Sequence, residues 1–155
     1  AFIGLLVGAV GISFCLDVWL GHRRRPAARP AGVPAGIVWG GLAGLASFVS
    51  HAGGPPFQMY VLPQRLPKMV FAGTATILFA VVNAAKIVPY WQLGQFAGIE
   101  PSLALWLAVP ALLGTLAGRW LTQNMPDRFF FRLVELALFV VSLKLVWDYA
   151  LTFLG

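Results

Sequence analysis

Between short charged links the chain is written in apolar runs of about twenty residues or longer, beginning with AFIGLLVGAVGISFCLDVWL. A run of that length as a helix matches the roughly 30 Å hydrocarbon core of a bilayer. In that solvent the backbone must satisfy its own hydrogen bonds, so each run is driven to helix. Five segments stand out, at about Phe2–Leu20, Ala35–Pro63, Lys68–Tyr90, Ser102–Leu121 and Phe129–Leu154. Charged residues make up 10% of the chain and hydrophobic ones 59%. A soluble domain carries about a quarter of its residues charged, so the chain lacks the polar surface that water requires. The expected fold is an all-α integral membrane protein, a polytopic helical bundle.

The links carry the topology. The formal net charge of +6 would suggest nucleic acid in a soluble protein. Here the basic residues sit between membrane segments, where they set orientation and face anionic lipid, and no nucleic-acid partner is expected. His22 to Arg25 and Arg29 make residues 22–34 a cytoplasmic basic linker. Arg65 and Lys68 place the next link on the same side, and so do Arg119, Arg128 and Arg132. The link from Trp91 to Pro101 has Glu100 and no Lys or Arg, so it belongs outside. The alternation holds for the last three segments and fails for Ala35–Pro63, both of whose ends are positive. The single cysteine, Cys15, excludes an intrachain disulfide and is expected to pack. The chain opens directly in an apolar run with neither an initiator Met nor a signal-peptide pattern. It is expected to be the later part of a longer protein.

The parity failure coincides with the stretch SHAGGPPFQMY, Ser50 to Tyr60. Glycine tolerates positive φ and proline cannot continue a helix, so the segment at about 35–63 is broken there. It either re-enters, climbing to the break and turning back, or crosses as a kinked span. Interrupted membrane helices point to transporter binding sites. A second helical piece starting after Pro55 and Pro56 would offer free N–H groups to an anion. Gly53 and Gly54 would let a ligand approach the backbone. His51 would donate to that ligand or tie down a carbonyl. In the next segment Thr76, Asn83, Lys86 and Tyr90 share a helix side. Asn and Lys within a span suggest function by default, although Lys86 is close enough to the outer end to snorkel. The candidate substrate-binding set is therefore His51, Gly53, Gly54, Pro55, Thr76, Asn83, Lys86 and Tyr90. Gly36, Gly40, Gly44, Gly114 and Gly118 are expected in helix-packing seams. No phosphate loop, serine elbow or paired Cys/His spacing occurs. Neither an enzyme, a metal site nor a cofactor is expected.

The stretch GGLAGLASFVSHAGGPPFQMYVL followed by FAGTATILFAVVNAAKIVPYWQLGQF resembles the TauE/SafE family of sulfite and sulfonate exporters. The likeness is to the family's C-terminal half and runs from about Pro34 to Leu154. The His51-Ala52 pair departs from a glycine-richer tip. The resemblance implies two related halves. Residues 1–21 would then be the last transmembrane helix of a preceding half, and 35–155 the C-terminal repeat. That repeat would hold the broken or re-entrant helix at 35–63 and transmembrane helices at about 68–90, 102–121 and 129–154. Residues 1–21 run inward by the charge rule and 129–154 run outward, which suggests an inverted repeat. The resemblance also implies transport of a small anion, sulfite or an organosulfur compound such as a sulfonate. The expected partners are that anion, membrane lipid and the preceding half of the same protein, with a homo-oligomer left open. The expected location is the bacterial inner (cell) membrane. An anion channel and a non-transporting scaffold subunit stand as alternatives.

Overall fold

The computed structural model describes residues 2–20, 28, 30–98 and 100–154, so the basic cluster of the 22–34 link lies outside the described residues. Among the described residues the elements are α1 (Phe2–Trp19), α2 (Val33–Ser50), α3 (Gly54–Val61), a 3-10 turn (Leu62–Gln64), α4 (Lys68–Gln92), α5 (Pro101–Asn124) and α6 (Asp127–Leu154), with no strand. Three stretches are long and apolar enough to cross a membrane: Val33–Ser50, Lys68–Gln92 and Ser102–Asn124. The apolar stretch of α1, Gly4–Trp19, is shorter. Although α6 is 28 residues long, it carries Arg132, Glu135, Lys144 and Asp148 and is less uniformly apolar. Large apolar side chains such as Leu105, Trp106 and Leu112 stand exposed along α5, as lipid-facing residues must. The protein is an all-α membrane bundle.

The chain reverses between α2 and α3. His51 ends α2 in the left-handed conformation, with φ 54°. Its N–H donates to the Ser47 carbonyl at 3.2 Å, and the Ala52 N–H donates to the Ala46 carbonyl at 3.3 Å, so the left-handed stop closes two carbonyls of the last turn. Two observations show that the following piece folds back along α2 rather than continuing it. The Tyr60 hydroxyl donates to the Gly32 carbonyl at 3.0 Å, and a Cβ placed on Gly36 would lie 3.1 Å from that hydroxyl. The end of the return leg thus lies beside the start of the outgoing one. At 1.5 Å per residue α2 rises about 27 Å and α3 about 12 Å, so the legs are unequal and the 3-10 turn completes the shorter.

Gly53 makes the reversal tight. A Cβ there would meet the Ala43 carbonyl at 2.5 Å, Ser47 Cβ at 2.8 Å and the Phe79 ring at 3.0 Å. No other residue fits without moving backbone. Phe57 then anchors the return leg to α4, with ring centroids 5.5 Å from Phe71 and 5.7 Å from Phe79. Phe71 in turn meets Phe130 and Phe131 of α6 at 5.9 and 5.8 Å. Edge-to-face pairs of this kind add about 0.5–1.5 kcal/mol each beyond their buried area. They tie three helices to one cluster around Phe57, Val61 and Phe71.

The tightest helix pair is α1 against α6. Gly8 lies against Ser142 and Val146, Gly11 against Ser142, and the Cys15 thiol against the Glu135 carbonyl at 3.7 Å. Rising numbers on α1 meet falling numbers on α6, so the two helices are antiparallel. Glycine on one side lets the backbones approach in lipid. Cys15 is buried there as a packing residue. By contrast, a Cβ on Gly40, Gly114 or Gly118, all expected in packing seams, would meet nothing within 4 Å, while one on Gly44 would touch Val82 and one on Gly36 would meet Tyr60.

One end of the bundle collects the basic links. The Lys68 ammonium donates to the Gln123 and Met125 carbonyls at 3.2 and 2.6 Å and lies 3.4 Å from Asp127. Trp19, Arg65, Arg128 and Arg132 line one cleft at that same end.

Candidate functional site

The reversal places the C-terminal end of α2 against the outer part of α4. Lys86 is 18 residues into α4, about 27 Å along its axis. Its side chain leans back toward the helix start, and so reaches α2 rather than the interface. Lys86 Nζ donates to the Ser47 carbonyl at 2.7 Å and to Ser47 Oγ at 2.6 Å. The residue is 8% exposed. Snorkelling to the outer interface is therefore not what this lysine does. One helical turn on, the Tyr90 hydroxyl donates to the Phe48 carbonyl at 3.2 Å. The His51 ring stands 6.3 Å from the Tyr90 ring, and Phe48 packs on that same ring at 5.4 Å.

These bonds have a common cause. The last turn of a helix leaves carbonyls without intrahelical partners, and their dipoles sum to about half a negative charge. Tyr90 satisfies one of those carbonyls, that of Phe48, from a neighbouring helix, and Lys86 adds a second hydrogen bond to the Ser47 carbonyl, which the His51 N–H already reaches. An ammonium carries a full positive charge, so the helix end offsets about half of it. Among the described residues no carboxylate pairs with Lys86. Of its three donor hydrogens, Ser47 uses two. Beside it lies a shallow, open cavity of ≈ 170 Å³ lined by Gly44, Phe48, Val82, Ala85 and Lys86. This is a small apolar-walled space with one under-compensated cation in its lining.

The other expected residues are placed as follows. Gly53 and Pro55 are buried, and the close approach that Gly53 permits is to α2 and Phe79. Gly54 is half-buried, and a Cβ there would meet only Gln58 Nε2, at 3.9 Å. The return helix begins at Gly54, ahead of the two prolines rather than after them. Proline has no N–H, so that helix start offers fewer donors than a helix beginning after Pro56 would. Thr76 is exposed and donates to Ala72 of its own helix at 2.9 Å. Asn83 is exposed and does not line the Lys86 cavity. The structure therefore gathers His51, Lys86 and Tyr90 around the end of α2. It sets Gly53 and Pro55 behind them and leaves Thr76 and Asn83 on an open face of α4.

Sequence reasoning missed two residues, one in the site and one near the break. Ser47 supplies both acceptors to Lys86. Gln58 lies one turn after the break, and its side-chain carbonyl oxygen is buried with no hydrogen-bond partner. Its signal was present in the sequence: it is the one amide in the otherwise apolar piece GPPFQMYV.

A helix interrupted inside a membrane bundle, with its end turned on a buried cation, is the construction of a membrane transporter. The family model for the sulfite exporter TauE/SafE matches residues 1–145, and the chain belongs to that family. The match takes in α1 as well as the fold-back and the helices after it. Among curated proteins and among solved structures no match to the chain was found.

Proposed function

We propose that the protein moves a small sulfur oxyanion, sulfite or an organosulfonate, across the bacterial inner membrane. The observation that carries this reading is Lys86, buried beside a small cavity, held by a helix end that offsets only part of its charge, with no carboxylate partner among the described residues. An oxyanion in the cavity would accept the remaining Lys86 hydrogen and complete the charge balance. His51 and Gln58 flank the break as further polar groups, and the Gly54 amide at the start of the return leg would add a backbone donor. Thr76, Asn83 and the open faces of α4 and α5 would meet a preceding half of the same protein. The antiparallel α1 and α6 support the inverted-repeat relation between two such halves. The reversal at His51–Gly53, with both legs ending at the basic end of the bundle, supports a re-entrant element opening from the cytoplasmic side.

The test is sulfite flux in proteoliposomes holding the full-length protein. Saturable efflux that responds to a counter-anion or a proton gradient supports a transporter. Throughput of channel size without such coupling favours the channel alternative. Absence of sulfite and sulfonate flux under every gradient refutes both and leaves the scaffold.

A further inference from the structure

A second cavity lies at the opposite end of the bundle from the Lys86 pocket. It measures ≈ 1090 Å³ and is formed where the end of α1, the turn after α3 and the start of α6 meet. Ligand pockets for drug-sized molecules occupy about 300–1,000 Å³, so this cleft is far larger than one inorganic oxyanion needs. Its walls are divided by character. Phe14, Val18, Leu62, Leu66 and Phe131 give an apolar lining, and Arg65, Arg128 and Arg132 bring guanidinium groups to it.

The charge on those arginines is not balanced within the cleft. Of its two carboxylates, Asp127 is engaged by Lys68 at 3.4 Å. Glu135 has Arg132 one turn before it as an opposite charge. Arg65 and Arg128 have no ion-pair partner among the described residues. Arg65 is also held in the left-handed conformation, at φ 52°, by its N–H bond to the Leu62 carbonyl at 3.1 Å. That conformation is uncommon for a side chain of this size. It fixes where the residue leaves the turn, in the same cleft that Arg128 lines. Guanidinium forks bind phosphate and sulfonate-type oxygens in pairs. Basic pockets between helices on the cytoplasmic side of a membrane are where anionic head groups bind.

We infer that this cleft is a binding site for an amphiphilic anion, one with a single phosphate- or sulfonate-type head and an apolar body. The head sits between Arg65 and Arg128, and the body lies along Phe14, Val18, Leu66 and Phe131. The site is separate from the Lys86 cavity and holds whether or not the transport reading does. Two sources offer this chemistry, an anionic phospholipid of the surrounding membrane and a soluble organic anion from the cytoplasm.

The experiment uses the full-length protein in zwitterionic detergent, titrated with hexane-1-sulfonate and, separately, with phosphatidylglycerol or phosphatidylcholine, read by thermal unfolding. Wild type is expected to be stabilised saturably by hexane-1-sulfonate, and the Arg65→Gln/Arg128→Gln variant to need at least tenfold more. Arg65→Lys/Arg128→Lys is expected to fall between them, and it stands in should the glutamine variant not fold. Stabilisation by phosphatidylglycerol over phosphatidylcholine that the arginine changes remove identifies the lipid as the source. Sulfonate binding without a lipid preference identifies the soluble anion. The comparison with the arginine variants is decisive, because a sulfonate can also reach Lys86. Wild-type titrations in the glutamine variant, equal stabilisation by inorganic sulfate, or no saturable response to either probe would overturn the inference.

Discussion

The two lysines of α4 sit in similar places and differ in one respect. Each reaches from α4 to the carbonyls at the end of another helix, Lys68 to α5 and Lys86 to α2. At Lys68 the helix end supplies about half a negative charge, and Asp127 supplies a whole one. At Lys86 the helix end stands alone, and the residue is buried where Lys68 is half-buried. Taking a lysine charge out of water is costly unless it is paired, and a favourable helix end returns up to about 2 kcal/mol. The Lys68 pair is a finished structural joint. The Lys86 pair keeps a deficit that an anion in the adjoining cavity would remove. The general lesson is that a buried cation's role is decided by whether its counter-charge is already inside the chain.

That contrast can be broken at four points. Lys86→Met keeps the side chain's volume and removes its charge. Sulfite flux in proteoliposomes should fall about a hundredfold, equivalent to about 2.7 kcal/mol, with the protein still folded. Gly53→Ala attacks the joint that sets Ser47 opposite Lys86. The added Cβ cannot clear the Ala43 carbonyl, and a loss of about 2 kcal/mol is expected, visible as a lower unfolding temperature and weaker flux together. Lys68→Met removes the matched joint instead. It should cost about 1 kcal/mol of stability, as loss of a charged hydrogen bond at a partly exposed site does, and leave flux within about twofold, a spread of about 0.4 kcal/mol. His51→Gly is the mildest. It relieves a left-handed non-glycine residue worth about 1 kcal/mol and should raise the unfolding temperature slightly. A larger change in flux than in stability would show that the imidazole itself touches the anion.

The reversal was legible in the sequence because two independent signals met there. Gly53, Gly54, Pro55 and Pro56 mark a break chemically, and the positive ends of Ala35–Pro63 favour a chain that turns back. The helical class was legible because lipid leaves the backbone few alternatives. The site was legible only in part. Lys86 stood out because a charge in a span is rare, but Ser47 did not, since a hydroxyl inside an apolar helix looks like any small packing residue. The face of α4 was the harder question. In a helix that is apolar all round, spacing groups Asn83 with Lys86 but says nothing of which neighbour each will meet. The long Lys86 side chain reaches α2 while Asn83, three residues before it, stays exposed. The donor count at the return helix is lower than the sequence suggests because its start lies at Gly54, which puts both prolines in the first turn.

Titration calorimetry of sulfite into the purified full-length protein, compared across wild type, Lys68→Met and Lys86→Met, tests the central claim most directly. The charge deficit at the end of α2 predicts that Lys68→Met binds within about twofold of wild type and that Lys86→Met loses more than tenfold in affinity, over about 1.4 kcal/mol. Wild-type affinity in a folded Lys86→Met protein would contradict it.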